Sequence, residues 1–402
     1  MTAQPMIAIE TADFITYSVE HEISRVEAKA RVVQVLWDDG HVSVFHHLWL
    51  RDNCPCTDCI HPETREQTFE ITSVPETIFP HVAEITASGS LRIVWSDGGH
   101  ESIYHPGWLR AHCYSDVARA ARARAAPKPR TWDASLAQDM PSFSGPAVLE
   151  DDRALLDWLV TLRDVGAAVL RDTSCEMDTV GRLAARISFP RQTNFGTLFN
   201  VRSDLEANSD ACTALPLPLH TDLPTRELEP GLQFLHCLVN DAEGGDSLLV
   251  DGFRLAECLR EEAPELLDVL TTERIDFHNT DPAFDYRRKA PIIALNTDGK
   301  PAEIRFGTFL KGPFDLPTDK MELVYRAYRR FSEMTREPRF QAIFRLRPGD
   351  LLAFDNRRVL HARTGFDPTT GARHLRGCYI DTDELLSRIR VLQRKFPPAH
   401  SW

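Results

Sequence analysis

Three of the chain's nine cysteines fall within six residues, Cys54-Pro-Cys56-Thr-Asp-Cys59, and this run limits the local fold more than any other feature. Cysteines two or three apart cannot easily reach each other as a disulfide, but they converge well on one tetrahedral ion. A zinc ion would then need a fourth ligand, and His61, His100 and His105 lie nearby. His61 is too close in sequence to close the tetrahedron without strain. Asp97-Gly98-Gly99-His100 reads as a turn that swings an imidazole back, so His100 is the favoured partner. Four protein ligands leave no open position, which makes such a site structural. An iron–sulfur cluster is disfavoured because a fourth well-placed cysteine is missing.

Length and charge narrow the remaining choices. A chain of 402 residues is long enough for two domains. A net charge of −13 argues against nucleic-acid binding, which needs clustered Lys and Arg. No stretch approaches the ~18 consecutive apolar residues of a membrane span. The first twenty residues carry Glu10, Asp13 and Glu20 and have no signal-peptide pattern. The expectation is a cytoplasmic protein with no membrane or nucleic-acid partner, its cysteines held as thiols or metal ligands.

Short β-patterned runs separated by Asp39-Gly40 and Asp97-Gly98 turns mark residues 1–118 as a small β domain. Residues 119–144, rich in Ala, Arg, Pro and Ser, read as a linker. Residues 145–402 are mixed. Helical spacing covers Leu149–Val165, Met177–Ile187, Asp251–Thr271 and Thr318–Met334. Between these lie many short strand-like runs, including Gly231–Val239, Ser247–Val250, Leu351–Phe354 and Leu375–Ile380. Without regular βαβ alternation, the pattern predicts a mainly β sandwich or jelly roll carrying helices outside.

That domain holds a second candidate metal site. In His220-Thr-Asp222 the ligands are two apart, so a strand would present both on one face. The motif alone is weak, because 15 His and 59 acids predict about two H-x-[D/E] by chance and two occur, the other being His61-Pro-Glu63. Context strengthens it. Downstream, a strand, a polar turn and a second strand end at His361, and Arg373 opens a further strand twelve residues on. Two His and one carboxylate on one octahedral face suit Fe(II), leaving three positions for a bidentate 2-oxo acid and O2. A strand-borne Arg near the metal can pair the distal carboxylate of that acid.

Taken together, Trp49-Leu-Arg-Asp-Asn-Cys-Pro-Cys-Thr-Asp-Cys59, His220-Thr-Asp222, Pro230-Gly-Leu-Gln-Phe-Leu-His-Cys237, Gly244-Gly-Asp-Ser-Leu-Leu-Val-Asp-Gly252, Phe354-Asp-Asn356 with His361, and Arg373-His-Leu-Arg-Gly-Cys-Tyr379 resemble a known family. It is that of the γ-butyrobetaine and trimethyllysine hydroxylases, within the taurine-dioxygenase-like oxygenases. The resemblance implies a double-stranded β-helix behind a small zinc domain, usually assembled as a homodimer. It implies structural Zn(II) on Cys54, Cys56, Cys59 and His100, and Fe(II) on His220, Asp222 and His361. Arg373 and Ser247 match the contacts of the cosubstrate 2-oxoglutarate, with O2 the second cosubstrate and C–H hydroxylation of a small molecule the reaction.

The family holds a trimethylammonium head in an aromatic cage, and Phe195, Phe199, Cys212 and Tyr379 match its walls. Two departures stand out. Cys212 occupies a position where the betaine enzymes usually carry Tyr. Ser209 and the Gly307-Thr308 pair stand where they usually carry Asn for the substrate carboxylate. Arg287, Arg288 and Lys311 lie in segments that could flank the same end. Hydroxyls and Arg suit a phosphonate better than paired amides. The expected substrate is therefore 2-(trimethylammonio)ethylphosphonate, hydroxylated next to phosphorus and contacted by Ser209, Thr308 and Arg288, with γ-butyrobetaine as the rival. Of other classes, a zinc hydrolase lacks an H-E-x-x-H helix, and a noncatalytic binding module is at odds with an intact triad.

Overall fold

A computed structural model describes residues 11–202 and 214–396, and these divide into two compact units, one within Met1–Pro127 and one spanning Lys128–Phe396.

The first unit holds two three-stranded antiparallel sheets. One is β1 (Ile23–Ala28), β2 (Val32–Trp37) and β3 (Val42–His46), followed by helix α1 (His47–Asp52). The other is β4 (Pro80–Ile85), β5 (Leu91–Trp95) and β6 (Glu101–Tyr104), followed by α2 (Pro106–Ala111) and α3 (Asp116–Ala125). Period-two alternation buries Val33, Val35, Trp37, Leu91, Ile93 and Trp95 in one core. Both sheets tie their tryptophan the same way: Trp37 Nε1 donates to Ser43 Oγ and Trp95 Nε1 to Ser102 Oγ, each at 2.9 Å. The turn after β5 carries Gly98 and Gly99 at φ of 77° and 82°, a backbone that side chains with a Cβ rarely adopt.

In the second unit, the chain runs through β7 (Ser142–Ser144), α4 (Gly145–Glu150), α5 (Asp152–Val165), β8 (Ala167–Arg171), α6 (Thr179–Ala185), β9 (Phe199–Arg202), β10 (Leu217–His220) and β11 (Leu232–Asn240). After β12 (Glu243–Gly244) and β13 (Ser247–Asp251) come α7 (Gly252–Glu262) and α8 (Pro264–Thr272). The hairpins β14 (Ile275–Asp281)–β15 (Phe284–Ala290) and β16 (Ile293–Leu295)–β17 (Pro301–Ile304) precede α9 (Thr318–Thr335). The last elements are β18 (Ala342–Phe344), β19 (Leu351–Asp355), β20 (Val359–Arg363), β21 (Phe366–Asp367), β22 (Arg373–Ile380) and α10 (Thr382–Lys395).

Two sheets of this unit face each other as a jelly roll. The larger has the order β7-β8-β19-β11-β22-β9 and the smaller β10-β20-β13-β18. Side chains alternate between layers. Leu351 and Ala353 of β19 join Leu232, Phe234, Cys378 and Ile380 in an outer core under α5, α6 and α10. Leu352, Phe354, Cys237 and Leu375 instead meet Leu249, Ala342 and Val359 of the smaller sheet between the two layers. By the same alternation Gln233, Arg373 and Tyr379 turn inward from the larger sheet, and Ser247, His361 and Arg363 from the smaller. Behind the smaller sheet, α7, α8 and α9 cover a third core around Leu255, Leu259, Phe306 and Phe331.

The helix expectations hold with local breaks. Asp151 caps α5 through Arg153 and Ala154 N–H, a cap worth about 1 kcal/mol, and so separates α5 from α4. Pro264 lacks the N–H needed to continue α7, and the chain bends at Ala263 before α8 begins. Inside the expected linker, Trp132 and Leu136 are buried in the inter-sheet core and Ser142–Ser144 adds a strand. Helix α10, which buries Leu385, Ile389 and Leu392, is an element the expected pattern does not include.

Candidate metal centres and active site

The cysteine run closes one centre in the first unit. Cys54, Cys56 and Cys59 follow α1, and the Gly98-Gly99 turn brings His100 to them. His100 Nε2 lies 3.3 Å from Cys54 Sγ and 3.6 Å from both Cys56 and Cys59 Sγ. A tetrahedral zinc with Zn–S of about 2.3 Å and Zn–N of about 2.05 Å sets its S and N ligands about 3.6 Å apart. The donor set therefore fits that ion. Burial, the largest influence, pushes the Cys54 thiol up to about 12, so thiolates gather here only with a cation among them. Arg51 supplies part of that charge, donating to Cys59 Sγ at 3.3 Å while Asp97 holds its Nε at 2.8 Å. The other two candidate histidines, His61 and His105, lie outside this group.

The second centre lies on the inner face of the jelly roll. His220 ends β10 and pairs in register with His361 of β20, and Asp222 follows across Thr221. The three form a group able to hold one ion. His220 Nε2 and Asp222 Oδ1 are 3.1 Å apart, close to the ~3.0 Å between neighbouring ligands of an octahedral ion with ~2.1 Å bonds. His361 Nε2 stands at 3.8 Å from the same oxygen. The His220 Nδ1–H donates to Pro218 O at 2.8 Å, which fixes the tautomer and leaves Nε2 as the ligand atom.

The electrostatics of the triad are those of a cation site. Burial works against the Asp222 charge, but His361, His220 and a hydrogen bond from Tyr379 together hold its pKa below the ordinary carboxylate value. Burial, and then the nearby His220, push His361 down to about 3. The carboxylate thus stays ionised and His361 stays a neutral ligand across the physiological range.

Side chains behind Asp222 fix its backbone. Asn356, fully buried, accepts from Asp222 N–H at 2.6 Å and donates through Nδ2 to Asp222 O at 2.9 Å and Pro230 O at 3.2 Å. The next residue, Leu223, is buried in a left-handed conformation at φ 55°, a strained choice for leucine. Arg305 donates to the carbonyls of Pro224, Arg226 and Glu227 and so pins the following loop.

A buried guanidinium lies on the same inner face. Arg373 starts β22, is 7 % exposed, and its Nε has no hydrogen-bond partner among the described residues. Burial, followed by repulsion from Arg363, pushes its pKa down to about 10. Such a group favours an anionic ligand, because a buried cation without a partner is costly. Space for it depends on Gly245, where an added Cβ would sit 2.9 Å from Arg373 Nε. Ser247 is buried opposite Arg363 in the sheet register. These residues fit a dicarboxylate beside the triad.

An aromatic row leads away from the metal triad. Phe195 and Phe199 have ring centroids 6.2 Å apart, and Phe199 lies 5.0 Å from Tyr379. Phe199 packs over Gly377, where a Cβ would meet its ring at 2.6 Å. Ser209 and Cys212 lie outside the described residues. Thr308 is exposed in a short turn that follows Gly307, whose added Cβ would be 3.5 Å from His220 Cβ. Arg288 pairs with Glu227 through Nη1, while its Nε is buried with no partner among the described residues.

Several residues around the triad have roles that the sequence pattern does not predict: Asn356 as the backbone clamp, Arg305 as the loop anchor, and Phe309, 5.0 Å from His220. Arg363 stands two residues beyond His361, and the alternation that joins His220 to Asp222 turns it inward as well. Nothing in the chain's periodicity marks the clamp at Asn356.

A jelly roll that sets two imidazoles, a carboxylate and a buried guanidinium on its inner face defines a non-haem Fe(II)/2-oxoglutarate-dependent dioxygenase. Comparison with known proteins narrows the class. The family described as taurine catabolism dioxygenase TauD, TfdA family matches residues 125–379, and the gamma-butyrobetaine hydroxylase-like N-terminal family matches residues 24–110. The chain is 52 % identical to gamma-butyrobetaine dioxygenase of Pseudomonas sp. (strain AK-1), over 95 % of this chain and 99 % of that one. It is 32 % identical to the human gamma-butyrobetaine dioxygenase over 91 % of this chain and 95 % of that one. Trimethyllysine dioxygenase of Meyerozyma guilliermondii is 28 % identical over 93 % and 96 %. The chain belongs to the γ-butyrobetaine and trimethyllysine dioxygenase family, within the TauD/TfdA dioxygenases. Among the described residues, no helix is long and apolar enough to cross a membrane.

Proposed function

We propose that this enzyme hydroxylates a small trimethylammonium zwitterion, using Fe(II) held by His220, Asp222 and His361 and 2-oxoglutarate held by Arg373. The observation that carries the reading is an open three-donor centre on the same inner face as a buried guanidinium with an orphaned Nε. When bound, iron and 2-oxoglutarate supply the oxidising power that breaks an unactivated C–H bond. The protein's own groups bind and orient. His220 and His361 present ring nitrogens, Asp222 presents a carboxylate oxygen, and Arg373 fixes the far end of the cosubstrate. Phe195, Phe199 and Tyr379 offer ring faces to a cation that cannot donate a hydrogen bond. Cys54, Cys56, Cys59 and His100 hold a structural zinc in the first unit.

For the substrate we favour 2-(trimethylammonio)ethylphosphonate, hydroxylated on the carbon next to phosphorus. From Gly307 beside His220 the chain passes through Thr308 to Lys311, which bridges to Phe277, and Phe277 pairs in register with Arg288. Lys311 has no carboxylate partner among the described residues, and Arg288 keeps its Nε unpaired. A lysine and an arginine on the two segments that pair with Phe277 would suit a phosphonate of up to two negative charges. γ-Butyrobetaine is the second reading, carried by the 52 % identity to a γ-butyrobetaine dioxygenase.

Succinate formation with Fe(II), 2-oxoglutarate and O2 is the deciding measurement, run with both betaines, trimethyllysine and aminoethylphosphonate. A kcat/KM at least tenfold higher for the phosphonate, falling about tenfold in Arg288→Ala, is the expected result. A preference for γ-butyrobetaine overturns the phosphonate reading, and no succinate with any substrate from iron-loaded protein overturns the hydroxylase reading.

A further inference from the structure

The Tyr379 hydroxyl is turned away from the aromatic row and toward the metal triad. It donates to Asp222 Oδ2 at 2.6 Å, while Asp222 Oδ1 is the oxygen that faces His220 and His361. The two carboxylate oxygens are therefore divided between two tasks. The backbone that carries this carboxylate is fixed, because Asn356 holds both the N–H and the C=O of Asp222, so the division rests on what each oxygen meets. Tyr379 cannot easily turn. It is 2 % exposed, its strand is flanked by β11 and β9, and its ring packs on Phe199.

We propose that Tyr379 is a denticity lock: its hydroxyl occupies Asp222 Oδ2 so that Asp222 binds the metal through Oδ1 alone. The inference rests on the triad being the iron site. A carboxylate can take one or two positions on an octahedral ion. With one position used, the triad leaves three open, enough for a bidentate 2-oxo acid and O2. With two used, only two remain, and Asp222 competes with the cosubstrate. The phenol also orients the carboxylate before the metal arrives, and such outer partners commonly govern affinity by about ten- to a hundredfold. One side chain thus serves two sites, its hydroxyl the metal carboxylate and its ring face the aromatic row. Tyrosine is therefore required where phenylalanine would serve the ring alone.

The test uses Co(II), whose visible absorption reports coordination number, titrated into the full-length chain whose cysteine centre has first been filled with zinc. Tyr379→Phe keeps the ring and removes the hydroxyl. The expected result is a Co(II) affinity about tenfold weaker, an altered Co(II) spectrum, and 2-oxoglutarate binding to the Co(II) form weakened by about the same factor. Phe199→Leu removes an aromatic wall but keeps the hydroxyl, so it should raise the KM for the trimethylammonium substrate and leave Co(II) affinity within twofold. Thermal melts of both zinc-filled variants before Co(II) is added, matched to the parent, show that folding is not the cause. Co(II) affinity and spectrum unchanged in Tyr379→Phe would overturn the lock while leaving the triad standing. Failure of the parent protein to bind a second metal at all would overturn both.

Discussion

The two metal-donor clusters of this chain solve opposite problems. The cluster of the first unit offers four donors: one nitrogen stands about as far from three sulfurs as a tetrahedral zinc requires, and an ion held by all four would have no position for a substrate. The triad of the second unit is open: three donors gather on one side, and the nearby guanidinium of Arg373 lacks a partner for its Nε. The closed cluster takes its ligands from two short segments, 54–59 and 100, each close to a turn or helix end. The open one draws on ligands 141 residues apart, His220 and His361, and depends on the whole jelly roll to bring them into register. A structural ion can be held by local chain. A catalytic ion needs a rigid scaffold that holds ligands apart from the space it keeps free.

The sharpest way to break this comparison is to remove one ligand from each. Asp222→Ala should lower turnover by more than about a hundredfold, beyond the upper end of what loss of outer-shell support costs. It should leave one zinc per chain, counted by elemental analysis. Cys59→Ser should do the reverse in metal content, losing zinc while the triad still binds Fe(II). Because structural zinc contributes about 10–16 kcal/mol to small zinc-finger domains, hydrogen exchange across residues 32–46 and 91–104 should then rise. Retention of zinc by Cys59→Ser would show that the cluster is not a zinc site. Loss of zinc by Asp222→Ala would show that the two centres are not independent.

The contrast also explains what could be read from the residues alone. Cys54, Cys56 and Cys59 announce themselves because clustering in sequence is clustering in space at that range, and the Gly98-Gly99 turn points to His100. His220 and Asp222 are no more frequent than chance allows, and only His361 and Arg373 at strand-like intervals lift them. The alternation that turns Arg373 inward was legible, as was the jelly-roll class. Three things were not. Whether Tyr379 offers its face or its hydroxyl depends on where Asp222 lies, and the two are 157 residues apart. Asn356 satisfies backbone groups that no residue pattern records. Helix α10 carries only three buried residues, Leu385, Ile389 and Leu392, so its helical spacing is a faint signal.

A second prediction sharpens the open site. Arg373→Met keeps most of the side-chain volume and removes the charge. Charge-assisted hydrogen bonds are worth about 1.5–3 kcal/mol each, so the KM for 2-oxoglutarate should rise about ten- to a hundredfold. Fe(II) affinity in the absence of cosubstrate and zinc content should both stay as they were. A KM for 2-oxoglutarate within twofold of the parent would remove Arg373 from the cosubstrate site. An equal loss of Fe(II) affinity would make it part of the triad's support instead.

The smallest expected effect separates the two units by acid. His236 is fully buried on the outer face of β11, and Thr173, whose hydroxyl donates to Gly349 O, lies 2.9 Å from its Nε2. Its Nδ1 is buried with no partner among the described residues. Burial pushes its pKa down to about 4 from the ordinary 6.5. Between those values the unfolded chain binds a proton that the folded chain does not, so stability falls as pH drops from about 6.5 toward 4 and is fully present above that window. His236→Gln should flatten this slope for residues 232–240, read by hydrogen exchange, without altering the acid response of residues 91–104. There, acid would act through a separate equilibrium, by competing with the proposed zinc for its ligands. An unchanged slope in the variant would place the acid-sensitive group of the jelly roll elsewhere, whereas flattening in both regions would mean that acid acts on the two units through one cooperative transition.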